Sequence, residues 1–223
     1  ELSPEQSAAM ADAEKRLAPM RAKKFRDRKL VTLGGWAGAG KTTLIAHMLR
    51  RSKAKVCAFT GKAAFVLTTK GVPATTIHSL IYQCFQACDD CGKGEGSCKC
   101  ASPAFKLRWS RVPDIDAELV IVDEASMVDR RLLDDLESFG VPLLCVGDHG
   151  QLEPVGDDPK LMRDPDIRLE TIHRQAADSP IIRFAHHVRQ GHEPESFGPA
   201  TTVMQGLPAD LRPYDAILCG FNK

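Results

Sequence analysis

The most legible chemistry in the chain lies in the run Gly34-Gly-Trp-Ala-Gly-Ala-Gly-Lys-Thr-Thr43. Gly35, Gly40, Lys41 and Thr42 fall on the G-x-x-x-x-G-K-[ST] spacing of a phosphate-binding loop. Such a loop offers backbone N–H groups and a helix N-terminus to the phosphates, so Gly38 and Gly40 are needed for close approach. Lys41 reaches the terminal phosphates, Thr42 offers its hydroxyl to magnesium, and Thr43 completes the nucleotide-binding set. A glycine-rich turn with a chance lysine is the bland alternative. Context opposes it, because Leu30–Leu33 reads as a strand and the stretch from Thr42 as an amphipathic helix ending in arginines. The spacing predicts ATP or GTP as ligand.

A second signal is Glu118-Leu-Val-Ile-Val-Asp123-Glu124, a continuous apolar run ending in two carboxylates. It predicts a buried parallel strand that delivers Asp123 to a magnesium shell and Glu124 to the water beside the terminal phosphate. Adjacent acids at a strand end can also cap a helix. The phosphate loop upstream favours the catalytic reading. Val141–Asp148 is another strand with an acid at its tip, and Asp148 and Gln151 are placed to sense the terminal phosphate. The rival reading of that segment is a polar turn rich in glycine and proline.

These groups need a scaffold. Ser3-Pro-Glu-Gln6 predicts a helix start with Ser3 as N-cap and Gln6 closing a capping box, the helix continuing toward Pro19. Val56–Phe59 reads as a strand before Thr60-Gly-Lys62 and a helix, and Ala74-Thr-Thr76-Ile-His78 as a hydroxyl-rich helix start. Ile167–Ile172 is a further strand, and Ser179-Pro180 opens a helix that ends at Gly191. The alternation predicts a three-layer α/β fold around a mostly parallel sheet, with polar residues gathered at its carboxyl edge. Composition is that of an ordinary globular chain, 43% hydrophobic and 26% charged. No apolar run approaches the roughly twenty residues of a membrane span, and no secretory leader opens the chain, so a cytoplasmic location without membrane partners is expected. Net charge of +1 confines any nucleic-acid surface to a local patch. The basic run Arg21–Lys29 is one candidate, with a solvated linker as its rival.

In this order, GWAGAGKTT, AFTGKAA, TIHSL, IVDEASMVD, CVGDHGQLEPVG and LETIHRQ resemble the motifs of superfamily 1 DNA helicases, most closely the RecD-like and Dda-like branch. The resemblance implies a RecA-like P-loop core and an ATP-dependent motor moving 5′ to 3′ on single-stranded DNA and opening forked duplex. It implies roles residue by residue. Gln6 would read adenine, Gln151 would couple the γ-phosphate to the DNA site, and Arg174 would act as an arginine finger. Thr60, Lys62, Thr76 and His78 would line the strand channel, and Asn222 would begin a channel motif in a second motor domain. The expected organisation is a first motor domain in residues 1–83 and 113–205, an insert at 84–112, and the incomplete start of a second domain at 206–223. Absence of an initial methionine and the stop after a strand-like Ala216–Cys219 suggest a fragment, which alone would bind nucleotide weakly and hydrolyse it poorly. Replication or recombination proteins are the expected partners. The alternative is a nucleotide-gated binding module that does not unwind.

Within the insert, CFQACDDCGKGEGSCKC holds five of the eight cysteines. Cys88-x-x-Cys91 and Cys98-x-Cys100, joined by a glycine-containing turn, can surround one tetrahedral zinc, with Cys84 left over or substituting for one of them. A mobile loop of free thiols and redox chemistry are the alternatives. The resemblance places at this point an accessory hairpin that splits duplex. Trp109, with Phe105 and Arg108, is expected either to pack the insert onto the core, the favoured role, or to stack against a base. Cys57, Cys145 and Cys219 lie in apolar strands and are expected to be core.

Overall fold

The structure is a computed structural model that describes residues 2–21, 30–102, 104–151, 154, 156–171, 179–193 and 203. The chain divides into two compact units, Glu1–His173 and Arg174–Lys223.

In the first unit a six-stranded sheet has the order β3-β2-β6-β7-β1-β8, every neighbouring pair parallel. Its strands are β1 Leu30–Gly35, β2 Ala54–Ala58, β3 Ala74–Thr76, β6 Leu119–Asp123, β7 Leu143–Gly147 and β8 Ile167–Leu169. The helices are α1 Pro4–Arg21, α2 Lys41–Leu49, α3 Gly61–Thr69, α4 Ile77–Ile81 and α5 Arg130–Glu137. A separate antiparallel hairpin, β4 Tyr82–Cys88 and β5 Phe105–Arg111, is inserted after α4.

Strands buried on both faces carry continuous apolar runs, and β6 and β7 do so. Their side chains alternate between two cores. Leu119 and Ile121 of β6 and Leu144 and Val146 of β7 pack with Leu17 of α1, Leu44 and Ile45 of α2 and Leu67 of α3. Val120, Val122, Leu143 and Cys145 face the other way, onto Ile77 and Ile81 of α4 and Leu132, Leu133 and Leu136 of α5. That period of two produces the helix–sheet–helix layering of a RecA-like P-loop core. Cys57 and Cys145 lie in these cores, as expected, and burial pushes the Cys145 thiol up to about 12. Cys219 lies outside the described residues.

Local chemistry sets the helix ends. Ser3 and Gln6 form the predicted reciprocal box: the Ser3 N–H donates to Gln6 Oε1 at 2.9 Å and the Gln6 N–H to Ser3 Oγ at 3.2 Å. Asp129 caps α5 by accepting from the Leu132 N–H at 2.9 Å. Helix α1 runs two residues past Pro19, to Arg21. A proline in the last turn forfeits one intrahelical donor without breaking the preceding turns.

A polar clamp joins the sheet's edge to its phosphate-loop strand. Thr32, 3% exposed on β1, donates its N–H and hydroxyl to Asp166 Oδ2, both at 2.9 Å. The Asp166 N–H returns a bond to Thr32 Oγ1 at 2.9 Å. The pairing of β1 with β8 starts only at Leu33 and Ile167, so the Asp166 carboxylate supplies the acceptor that Thr32 lacks on that side.

In the second unit, helix α6 (Pro180–Arg189) has Ser179 at its N-cap position and proline in its first turn, and Gly191 beyond its end has φ +82. The hydroxyl of Ser179 makes no cap bond.

Candidate functional site

The phosphate loop lies between β1 and α2. Gly38 and Gly40 have φ of +84 and +81, the left-handed region that glycine occupies without Cβ strain. At Gly35 a Cβ would meet Leu169 Cβ at 3.1 Å and Lys41 Cγ at 3.3 Å, so the missing side chain makes room for the lysine stem. Lys41 Nζ donates to the carbonyls of Gly35 at 2.7 Å and Trp36 at 3.1 Å. Trp36, Gly38, Gly40, Lys41, Thr42 and Thr43 line a cavity of about 560 Å³. Of the predicted loop residues, Gly38, Gly40, Lys41, Thr42 and Thr43 thus share one cleft at the start of α2, while Gly35 lies behind the Lys41 stem.

Asp123 ends β6, two strands from β1 in the sheet, and Glu124 follows it directly. Burial and the neighbouring Glu124 charge hold the Asp123 carboxyl up at about 6, against the opposing pull of the Glu124 N–H and the Lys41 charge. Glu124 has φ +55, one of two non-glycine residues in the left-handed region among those described. It precedes a 3-10 turn, Ala125–Met127, whose Met127 N–H donates back to the Glu124 carbonyl at 3.1 Å. Such a conformation costs on the order of 1–3 kcal/mol and persists where surroundings impose it.

That turn leads to the next segment. Ser126 Oγ donates to Gln151 Oε1 at 2.7 Å, tying the acidic tip to the loop after β7. Asp148 is buried and its Oδ1 accepts from the Gly150 N–H at 2.9 Å. The His149 ring lies 4.1 Å, centroid to centroid, from that of Trp36, and burial holds its pKa below the ordinary histidine value. Sequence reading passed over Ser126, His149 and Trp36, although all three lie within the motifs it singled out.

Gln6 is 3% exposed, and beyond its cap it donates from Nε2 to the Ala39 carbonyl of the phosphate loop at 3.2 Å. The hydroxyls of Thr60 and Thr76 cap α3 and α4, accepting from Ala63 N–H at 3.2 Å and Ser79 N–H at 3.1 Å. Both threonines stand at the carboxyl edge of the sheet. Lys62 and His78 are exposed on the first turns that follow. Arg174 and Asn222 lie outside the described residues, as does most of the Arg21–Lys29 run.

In the region of the insert the hairpin strands pair from Tyr82–Arg111 to Cys88–Phe105. Its root is fixed to α5: the Tyr82 hydroxyl donates to Asp135, and Arg111 donates to Asp135 Oδ1 at 3.3 Å and Ser138 Oγ at 3.0 Å. Trp109 is 68% exposed and Leu107 69%, so the favoured role of Trp109 as the side chain that packs the insert onto the core is incorrect. Alternation along β5 places Phe105, Leu107 and Trp109 on one face and Arg108 on the other, where Arg108 and Lys106 pair with Asp89. The signal was available in the period-two sequence Phe-Lys-Leu-Arg-Trp-Ser-Arg111, which the density of cysteines nearby obscured.

At the hairpin's far end the sulfurs of Cys88, Cys91, Cys98 and Cys100 all lie within 4.8 Å of one another. Cys84 is exposed and outside the cluster. The N–H groups of Cys91 and Asp90 point at the Cys88 sulfur and hold that thiol down to about 7, while the sulfurs of Cys91, Cys98 and Cys88 push Cys100 up to about 12.

Comparison with known proteins follows the same lines. A model of the AAA domain family matches residues 1–202. The chain belongs to this AAA domain family. Among curated relatives of this AAA domain, the ATP-dependent RecD2 DNA helicase of Deinococcus radiodurans is 33% identical over 179 residues, covering 74% of this chain and 22% of the relative. The ATP-dependent DNA helicase PIF1 of Trypanosoma brucei brucei is 26% identical over 213 residues, covering 87% and 21%. The chain therefore spans about a fifth of the length of these relatives. A Pif1 structure solved to explain DNA unwinding at forked duplex superposes with TM-score 0.52 at 20% identity, over 85% of this chain and 48% of the other. Bacteroides Pif1 bound to single-stranded DNA gives 0.51 at 21%, over 85% and 46%. These structural likenesses show the fold that the chain shares with them.

Proposed function

We propose that this AAA domain is the ATP-binding motor domain of a DNA helicase or translocase that moves 5′ to 3′ on single-stranded DNA. The observation that carries the reading is that the Lys41 loop after β1 and the Asp123–Glu124 tip of β6 lie at the carboxyl edge of the same parallel sheet. In it, residues 1–83 and 113–205 form the motor domain and the hairpin is its accessory arm. Lys41 and the loop amides hold the phosphates, Glu124 orients and deprotonates the attacking water, and Gln151, tied to Ser126, senses the terminal phosphate. Arg174 supplies the finger. Gln6 borders the base, and Thr60, Lys62, Thr76, His78 and Asn222 contact the strand. A cytoplasmic location fits this reading. Among the described residues no helix is long and apolar enough to cross a membrane.

Magnesium fits the site, since Thr42 and Asp123 offer hard oxygen donors and the Glu124 charge crowds the Asp123 carboxyl and helps raise it. When bound, the ion neutralises phosphate charge. Thr42 and Asp123 are the residues that would hold it.

A forked duplex with a 5′ single-stranded tail tests the proposal. With ATP the complete protein, its second motor domain included, should displace the annealed strand and leave a 3′-tailed duplex intact. ATP hydrolysis without displacement would instead indicate the nucleotide-gated binding module. The arm gives a separate check. Because Trp109 is mostly solvated, Trp109→Ala should leave thermal stability within about 0.5 kcal/mol of the parent, yet weaken single-strand binding by about 1–3 kcal/mol. Fluorescence anisotropy with a labelled oligonucleotide reads the second effect, and unchanged affinity would remove Trp109 from the strand-binding surface.

A further inference from the structure

The hairpin's far end has little apolar material with which to hold a shape. Between Asp89 and Ala104 the chain reads DDCGKGEGSCKCASPA, almost without side chains able to form a core, and short segments of this kind need a disulfide or a metal for order. Yet the described backbone there is specific. The Gly92 N–H donates to the Cys88 carbonyl at 2.8 Å, and the Cys88 N–H donates to the Lys93 carbonyl at 2.9 Å. Gly92 has φ +69, so the chain folds back directly after Cys91. On the other side, the N–H groups of Ser97 and Cys98 both donate to the Gly94 carbonyl, at 2.9 and 3.0 Å. The Asp89 N–H, donating to the Ala104 carbonyl at 2.8 Å, closes the base of the loop. Two tight turns thus bring two pairs of thiols face to face.

The spacing between those thiols distinguishes a metal from a disulfide. Cys91 Sγ and Cys98 Sγ are 3.7 Å apart, whereas a disulfide requires about 2.05 Å. A tetrahedron with metal–sulfur bonds of about 2.3 Å has sulfur–sulfur edges of about 3.8 Å. With all four sulfurs within 4.8 Å of one another, the cluster is close to the size of a tetrathiolate cage. Four sulfur donors in a closed tetrahedron select zinc among the common cellular divalent ions, and such a site contributes folding free energy directly.

We propose that Cys88, Cys91, Cys98 and Cys100 bind one structural zinc ion that fastens the tip of the β4–β5 hairpin. The site is closed, with no coordination position left for water or substrate, so its role is to stiffen the arm that α5 anchors at the other end. Binding displaces the thiol protons to solvent, and the ion stays divalent throughout. Cys84, four residues before Cys88 and opposite Trp109, takes no part.

The test uses the whole chain purified without chelator. Metal analysis should find about one zinc per chain. Exchange for cobalt should give thiolate charge-transfer and tetrahedral d–d absorption bands. Cys91→Ser and Cys98→Ser should lower occupancy toward zero, whereas Cys84→Ser should retain it. Independently of any variant, trypsin should spare the bonds after Lys93 and Lys99 in the zinc-loaded chain and cut them after the metal is stripped. The proposal is overturned if the purified chain lacks stoichiometric zinc and gives no thiolate–cobalt bands. It is equally overturned if Cys84→Ser loses the metal while Cys91→Ser and Cys98→Ser keep it, or if loaded and stripped chains are digested alike. None of these readings depends on ATP turnover, so the metal site and the motor reading stand or fall separately.

Discussion

Glu124→Gln is expected to slow ATP hydrolysis by roughly 10²–10⁴-fold, the usual contribution of a positioned general base, while leaving nucleotide bound. The substitution keeps the size of the side chain and its hydrogen-bonding capacity but removes the basic oxygen. Its backbone must still adopt φ +55, which glutamine does no less readily than glutamate. Binding depends on other groups. Lys41 now spends its ammonium on the carbonyls of Gly35 and Trp36, and phosphate oxygens would take over those bonds. Lys41→Ala should therefore lose binding itself, by about 1.5–3 kcal/mol if one or two charged hydrogen bonds disappear. Phosphate release under saturating ATP, together with equilibrium titration of a fluorescent nucleotide, separates the two variants. Unaltered turnover by Glu124→Gln would show that another group activates the water.

The largest stability effect is expected away from the cleft. Asp166→Ala should destabilise the chain by about 2–4 kcal/mol, because it strands the buried N–H and hydroxyl of Thr32 without an acceptor, at about 1–3 kcal/mol for each group. Arg16, whose Nη1 lies 3.4 Å from Asp166 Oδ1, adds little, being exposed. For a chain of this length the loss corresponds to a fall in melting temperature of roughly 5–15 °C. Asp166→Asn retains an oxygen able to accept both Thr32 bonds and should recover most of the difference. Thermal unfolding followed by circular dichroism distinguishes the clamp from a mere surface charge: equal losses for alanine and asparagine would mean that the carboxylate charge, not the acceptor, matters.

How far these features could be read in the sequence depended on whether their chemistry was local. The phosphate loop, the acidic strand tip and the Ser3–Gln6 box each complete themselves within a few residues, so spacing alone located them. The clamp between Thr32 and Asp166 spans most of the chain and has no motif, since any aspartate before a short strand looks like a turn residue. Exposure of Trp109 was missed for a different reason. Aromatic residues are usually buried, and only the alternation along β5 reveals that this one sits on a solvated face. The left-handed backbone at Glu124 was likewise invisible, because nothing in an Asp-Glu pair indicates that a non-glycine residue will occupy that region. In the case of Thr60 and Thr76 both readings coexist, with the hydroxyls visibly serving as caps at the edge where strand contacts are proposed.

The two-sided burial of β6 has one more consequence. A strand with one wet face is held in place by its own pattern, because sliding by a single residue would turn its apolar side outward. Leu119 to Val122 lack that safeguard, since either face is equally greasy and a slide would expose nothing. What halts the slide is Asp123, which would be dragged from beside Ala58 to the place of Val122, between the buried Cys57 and Cys145, where an unpaired charge is very costly. The carboxylate at the tip thus serves as an end stop for its own strand, and Asp123→Leu would free the strand to slip as well as remove an acid.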